Sequence, residues 1–250
     1  MKGLVFGNSH VGAVRRAWDD NSSVDVDFYA IPGGVGPHVK LEAGRIYPND
    51  EKQPRSSIKG VEKRGLDLSR YDFIAFCSLG LGALRQKTPM DRILRQISLA
   101  EFTQPQSNET LPVSRAYMYK AVQNAVLGLS GAESLRVVRS VFDGPIVCAP
   151  KPIPVLSAME ETHPLRRVYG GHVADFTTWF ATAQSKIVNG FAETLGIDAV
   201  GYPDPAWVDA GGTPDQYAGR SDDPWHMNPA YGALVVQQVQ GWIEGHSTLS

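Results

Sequence analysis

Short apolar runs alternate with longer amphipathic ones along the chain. Leu4–Phe6, Val26–Ile31, Phe73–Leu79, Pro145–Ala149 and Ile197–Tyr202 are apolar almost throughout. Runs of that kind are what strands buried on both faces look like, as in a parallel sheet. Between them, the 3.6-residue pattern predicts helices over Val11–Trp18, Met90–Ala100, Arg115–Leu129, Ala132–Phe142, Phe176–Leu195 and Ala230–Glu244. Pro89 and Pro229 stand at predicted helix starts and Gly196 just past the longest helix, the asymmetry that helix ends favour. Strand–helix alternation with right-handed crossovers predicts an α/β chain folded as three layers, helices on both faces of one sheet.

Two stretches exceed what such a fold needs. Residues 38–70 are polar and turn-rich, which suggests a hairpin with its tip around Asn49–Ser57. Residues 85–142 hold more helix than one crossover requires. Insertions at such places either cover a cleft at the strand C-termini or add packing remote from it. No internal repeat or low-complexity tract breaks the pattern, and residues 1–250 are expected to form a single domain.

Composition narrows the function classes. Of the 250 residues 42 % are hydrophobic and 20 % charged, ordinary values that exclude a disordered, collagen-like or coiled-coil chain. With 24 Lys and Arg against 26 Asp and Glu, the net charge of −2 lacks the basic footprint of a nucleic-acid binder. No run of eighteen apolar residues predicts a membrane span. Asn8, Ser9 and His10 interrupt the first apolar run too early for a secretory leader, so cytoplasmic residence is the expectation. Cys77 and Cys148 both lie inside apolar runs and suit small core fillers.

Candidate chemistry sits at the two ends. In LVFGNSHVGA a buried strand runs into Gly7, Asn8 and Ser9 before a helical pattern starts. Ser9 thus falls at a strand C-terminus beside a helix start, where backbone N–H groups converge on negative charge, and its own N–H can face an oxyanion. Taken alone, the segment is better explained by Ser9 as a helix cap. In DDPWHMNPAYGALVV, His226 follows Asp223 by three residues. That spacing lets the carboxylate reach Nδ1 and leaves Nε2 to take a proton from a hydroxyl. A loop histidine beside a capping aspartate has the same spelling.

The two words together resemble the SGNH (GDSL-type) hydrolases. GNSHVGA is similar to that family's first block, Gly-Asp-Ser, with Asn8 in place of Asp. It is closer still to the Gly-Asp-Ser-His-Ala form of bacterial SGNH domains tied to O-acyl transfer on polysaccharides. DPWHMNPAYG is similar to the last block. The resemblance implies a flavodoxin-like five-stranded parallel sheet of order 2-1-3-4-5 with its site at the strand C-termini. It implies Ser9 as nucleophile, His226 as base and Asp223, not the adjacent Asp222, as the residue that orients it. It further implies an oxyanion hole from the N–H groups of Ser9 and Gly34, with Gly33 and Gly36 one register away. In the third block Gly80 matches, but Gly82 stands where the family has an Asn that completes the hole. Asn8 and Asn124 are the available substitutes, and Asn8, Gly80 and Trp225 are expected near the substrate.

Other residues carry weaker signals. His10 next to the nucleophile suits a supporting part. His163 and His172 lack metal-ligand spacing. Arg166 and Arg167 suit either an anionic substrate group or a solvated face, and Trp207 either a sugar platform or the core. No phosphate-binding glycine motif and no Gly-x-Ser-x-Gly elbow occurs. No cofactor or metal is expected. The expected activity is hydrolysis of a small acyl ester, O-acetyl on a carbohydrate being the family analogy. Acyl transfer on the same groups and non-catalytic glycan binding are the alternatives.

Overall fold

The computed structural model describes residues 1–18, 24–31, 37–49, 54–80, 89–103, 110–160, 163–220 and 223–247. In chain order, β1 (Lys2–Gly7) leads to α1 (Val11–Ala17) and β2 (Asp25–Ala30). A hairpin of β3 (Val39–Glu42) and β4 (Arg45–Pro48) follows, then β5 (Arg55–Ser56) and the short α2 (Val61–Arg64). After β6 (Phe73–Leu79) come α3 (Pro89–Leu94), β7 (Ile97–Leu99), β8 (Leu111–Val113), α4 (Arg115–Leu127) and α5 (Ser130–Arg139). β9 (Ile146–Pro150) precedes α6 (Pro164–Tyr169) and the long α7 (Val173–Leu195). The chain closes with β10 (Asp198–Ala199), α8 (Ala206–Asp209), β11 (Ala218–Arg220), β12 (Asp223–Met227) and α9 (Pro229–Ser247).

The main sheet runs β10-β9-β6-β1-β2-β5. All its pairings are parallel except β2–β5, so the architecture is mixed α/β around a mostly parallel sheet. Successive strand residues point to opposite faces, and the core divides accordingly. Leu4, Phe6, Ile74, Phe76 and Cys148 pack with α5 and α7 on one face. Val5, Ala75, Cys77, Val147 and Ala149 pack with α1 and α9 on the other. A further cluster joins α3, α4 and α6 to the outer side of α7. Both cysteines are buried core members, and burial pushes the Cys77 thiol up to about 12. No helix among the described residues is long and apolar enough to cross a membrane.

Several expectations need correction. The sheet has a sixth strand, the two-residue antiparallel edge β5, which the polar 38–70 stretch concealed. The hairpin turns at Ala43-Gly44 and not around Asn49–Ser57. Both turn residues have positive φ (49° and 75°), the backbone that a two-residue hairpin turn needs. Residues 50–53 lie outside the described residues.

The helix expected over Met90–Ala100 ends at Leu94, because Ile97–Leu99 leaves it to pair with Leu111–Val113. Ser98 is buried there and binds the hydroxyls of Thr103 and Thr110 at 2.8 and 2.7 Å. Within 85–142, α5 is no appendage. It packs on the sheet, and the buried Ser134 hydroxyl donates to the Pro37 carbonyl and accepts from the Val39 N–H.

Candidate functional site

β1 ends at Gly7, and the chain turns through Asn8, Ser9 and His10 into α1. Three successive turn bonds build the entry: Val11, Gly12 and Ala13 N–H groups donate to the Asn8, Ser9 and His10 carbonyls, each at 3.1 Å. The Asn8 side-chain oxygen accepts from the His10 N–H at 3.1 Å. Ser9 is left exposed at the C-terminal end of the central strand.

From the far end of the chain, β12 brings a carboxylate and an imidazole to the same place. Asp223 grips His226 with both oxygens. One accepts the His226 backbone N–H at 3.1 Å, and the other lies 2.6 Å from Nδ1. A carboxylate can only accept, so Nδ1 carries the proton and Nε2 presents its lone pair. Ser9 Oγ lies 3.2 Å from that Nε2, across 217 positions of sequence. The Asp223 side chain is 24 % exposed and that of His226 38 %, so the chain of contacts runs from protein interior to solvent.

Neighbouring elements hold β12 in register. β11 pairs with it, and a side chain at Gly219 would meet the His226 carbonyl at 2.7 Å, so only glycine lets the strands approach this closely. Asn228 caps α9, its side-chain oxygen accepting from the Tyr231 N–H at 3.1 Å. Met227 is buried against the α1–α9 face of the sheet.

Two further residues, His10 and Lys151, stand around this constellation. The His10 ring lies on the His226 ring, 5.4 Å between centroids and 23° between planes. Lys151, just past β9, is 6 % exposed. Burial holds the His10 imidazole well below its ordinary value. The ammonium of Lys151 and the ring of His226 push the same way, and Asp223 opposes them. His10 is therefore neutral at neutral pH. Lys151 had a sequence signal, a cation directly after a buried strand at the sheet's C-terminal edge.

The remaining expected residues divide. Gly33, Gly34, Gly36, Gly82 and Asp222 lie outside the described residues, as does the side chain of Trp225, whose backbone is in β12. Asn8 is 1 % exposed with its Nδ2 sealed from solvent, so it cannot meet a substrate as expected; it fixes the turn from below. Gly80 is also buried, and a side chain there would strike Gln184 at 2.8 Å, so it packs inward and does not line a cleft. Asn124 faces solvent from α4, whose buried side packs against α3, α6 and α7. Trp207 is 8 % exposed and packed on Tyr217 and Tyr231, so it is core and no sugar platform.

His163 caps α6 through Nδ1, and His172 binds Asp175 at 2.9 Å. Arg166 spends its guanidinium on the Met159 and Leu156 carbonyls, both at 3.0 Å. Among the described residues no group of three His, Cys, Asp or Glu side chains comes together to hold a metal ion.

No family model matches the chain, and no curated protein matches it. Among solved structures, a DUF4886 family protein from Bacteroides uniformis is similar at a TM-score of 0.42 and 15 % identity, over 94 % of this chain and 78 % of that one.

Proposed function

We propose that the chain is a serine esterase of the SGNH type, with Ser9 as nucleophile, His226 as general base and Asp223 as the residue that holds the base. One observation carries the reading: an exposed hydroxyl, an imidazole and a carboxylate stand in series at 3.2 and 2.6 Å at the C-terminal edge of the sheet. An isolated capping serine would have no reason to meet an imidazole 217 positions away. The strand order, with β2 and β6 flanking β1 and then β9 and β10, supports the flavodoxin-like, 2-1-3-4-5 arrangement for the five parallel strands.

Ser9 Oγ attacks the ester carbonyl while its proton passes to His226 Nε2, and Asp223 stabilises the imidazolium that results. The negative oxygen of the tetrahedral intermediate is met by the Ser9 N–H, and by the Gly34 N–H on the family resemblance. Collapse of the intermediate returns the proton from His226 to the leaving alcohol and leaves an acyl-serine. Water, deprotonated by His226, then attacks the acyl carbon and releases the carboxylic acid and free Ser9. Exposure of Ser9 favours water as the acceptor over a transferred sugar hydroxyl. Small acyl esters, O-acetyl on a carbohydrate by the family analogy, are the proposed substrates.

The test is Ser9→Ala on p-nitrophenyl acetate, with labelling by a fluorophosphonate. The variant should fold normally, lose turnover by about 10³-fold or more and fail to label. Undiminished turnover in that variant overturns the proposal.

A further inference from the structure

A pocket lies at the opposite end of the sheet from Ser9. Asp72, just before β6, donates its N–H to the Lys2 carbonyl at 2.7 Å, which places this region at the strand N-termini. Five steps of about 3.3 Å along β1 separate it from Gly7, roughly 17 Å. The pocket encloses about 160 Å³ between the β3–β4 hairpin, α2 and the turn leading to Tyr71. Its wall carries Arg45, Lys59, Arg64 and Arg70 against one carboxylate, Asp67. In a chain whose net charge is −2, a local excess of three positive charges in one concavity is a marked departure.

The cations are not consumed by each other's neighbours. Arg45 is pinned by bonds from its two terminal nitrogens to the Arg64 carbonyl and an Asp67 oxygen, both at 3.3 Å. Arg64 is folded back onto the Lys59 carbonyl at 2.7 Å. The Lys59 ammonium and the Arg70 guanidinium make no hydrogen bond or ion pair among the described residues, and Arg70 acts on Asp67 only at longer range. The Asp67 carboxyl is held below its ordinary value, first by the Ser69 hydroxyl and further by Arg45 and Arg70, so it stays ionised and offsets one charge alone. Two guanidinium groups fixed in place and two unmatched cations around a concavity form a preorganised anion receptor.

From this arrangement we infer that the pocket binds a small, doubly charged oxyanion, the phosphoryl group of a phosphate monoester. Its volume falls short of the roughly 300–1,000 Å³ that encloses a whole drug-sized ligand, so it takes a head group and leaves the rest of the molecule in solvent. Three excess positive charges match a dianion better than a monocarboxylate. The site does not depend on the reading of Ser9.

Calorimetric titration of the full-length chain at low salt tests this with inorganic phosphate, phenyl phosphate and acetate. Phosphate and phenyl phosphate should each bind saturably at one site, equally well in Ser9→Ala, and acetate at least tenfold more weakly. The double variant Lys59→Gln/Arg70→Gln removes exposed side chains and should keep the wild-type circular dichroism while losing tenfold or more in phosphate affinity. Absence of saturable phosphate binding, an unchanged affinity in the double variant, or acetate binding as tightly as phosphate would each overturn the inference.

Discussion

The imidazole of His10 covers one face of the imidazole of His226, with centroids 5.4 Å apart. The His10 backbone is fixed as well, since the sealed Asn8 side chain accepts its N–H. The residue after the candidate nucleophile is thereby braced against the candidate base, and one turn positions both. A neutral flat ring at this point limits how far His226 can swing away from Ser9, and it withholds the positive charge that would oppose imidazolium formation.

Replacement of His10 should therefore depend on shape more than on titration. His10→Phe keeps a flat ring and should retain esterase turnover within a few-fold. His10→Ala opens the gap and should cost roughly tenfold to a hundredfold in kcat, the range that small displacements of catalytic groups produce, with little change in KM. A merely structural role would lower the amount of folded protein and leave kcat per folded molecule intact. Equal kcat in the Ala and Phe variants would refute the bracing role.

The same burial has a consequence for stability against pH. The His10 imidazole resists protonation in the folded chain, whereas the unfolded chain takes up that proton near the ordinary value of 6.5. Where the unfolded state binds more protons, stability falls as pH falls. The loss begins as pH drops through about 6.5 and levels off below the depressed folded value, where both states are protonated. Lys151, His226 and Asp223 face the ring and set the depression together with burial. Thermal melts between pH 7.5 and 5 should slope more steeply in wild type than in His10→Phe. Parallel slopes would show that the ring is protonated as easily inside the protein as outside.

Asp223 makes two bonds to His226, and only one of them survives amidation. In Asp223→Asn the side-chain oxygen can still accept the backbone N–H, so β12 should keep its place. The amide nitrogen then turns toward Nδ1, which must become the acceptor, and Nε2 takes the proton it should be ready to receive. Turnover should fall by on the order of 10³–10⁴ with folding unchanged. Loss below tenfold would mean that Asp223 holds the loop and does not set the tautomer.

Much of this was legible in the chain because buried parallel strands are spelled as apolar runs. β6 was bounded to the residue, Phe73–Leu79, since its run ends at a glycine. β10 shrank to Asp198–Ala199 because Gly201 and Pro203 end the ladder soon after. Ser9, Asp223 and His226 stood out by local spacing, yet nothing in the sequence fixes two ends of a chain at 3.2 Å; that follows from β1 lying at the centre of the sheet and α9 packing on α1. Asn8 and Gly80 misled, and Trp207 stood open between platform and core, because exposure is set by which side of a turn or helix faces the core, and a single letter carries no such direction. The stacking of His10 on His226 was illegible for the same reason.

Gly232 shows how closely that packing is set. A side chain there would lie 2.2 Å from the Ala13 carbonyl oxygen, backbone of α1 that cannot rotate aside. α1 and α9 touch at this point, and Ser9 leads directly into the first while His226 precedes the second. Gly232→Ala gains helix propensity but forces the two helices apart, an overpacking that costs roughly 1–3 kcal/mol. Because the separation also pulls the hydroxyl from the imidazole, the folded fraction should lose kcat in proportion greater than its loss of stability. Chemical denaturation with turnover on the same preparation checks both. A variant as stable and as active as wild type would show that the helices have room to spare at this crossing and that their spacing does not hold the two ends of the chain together.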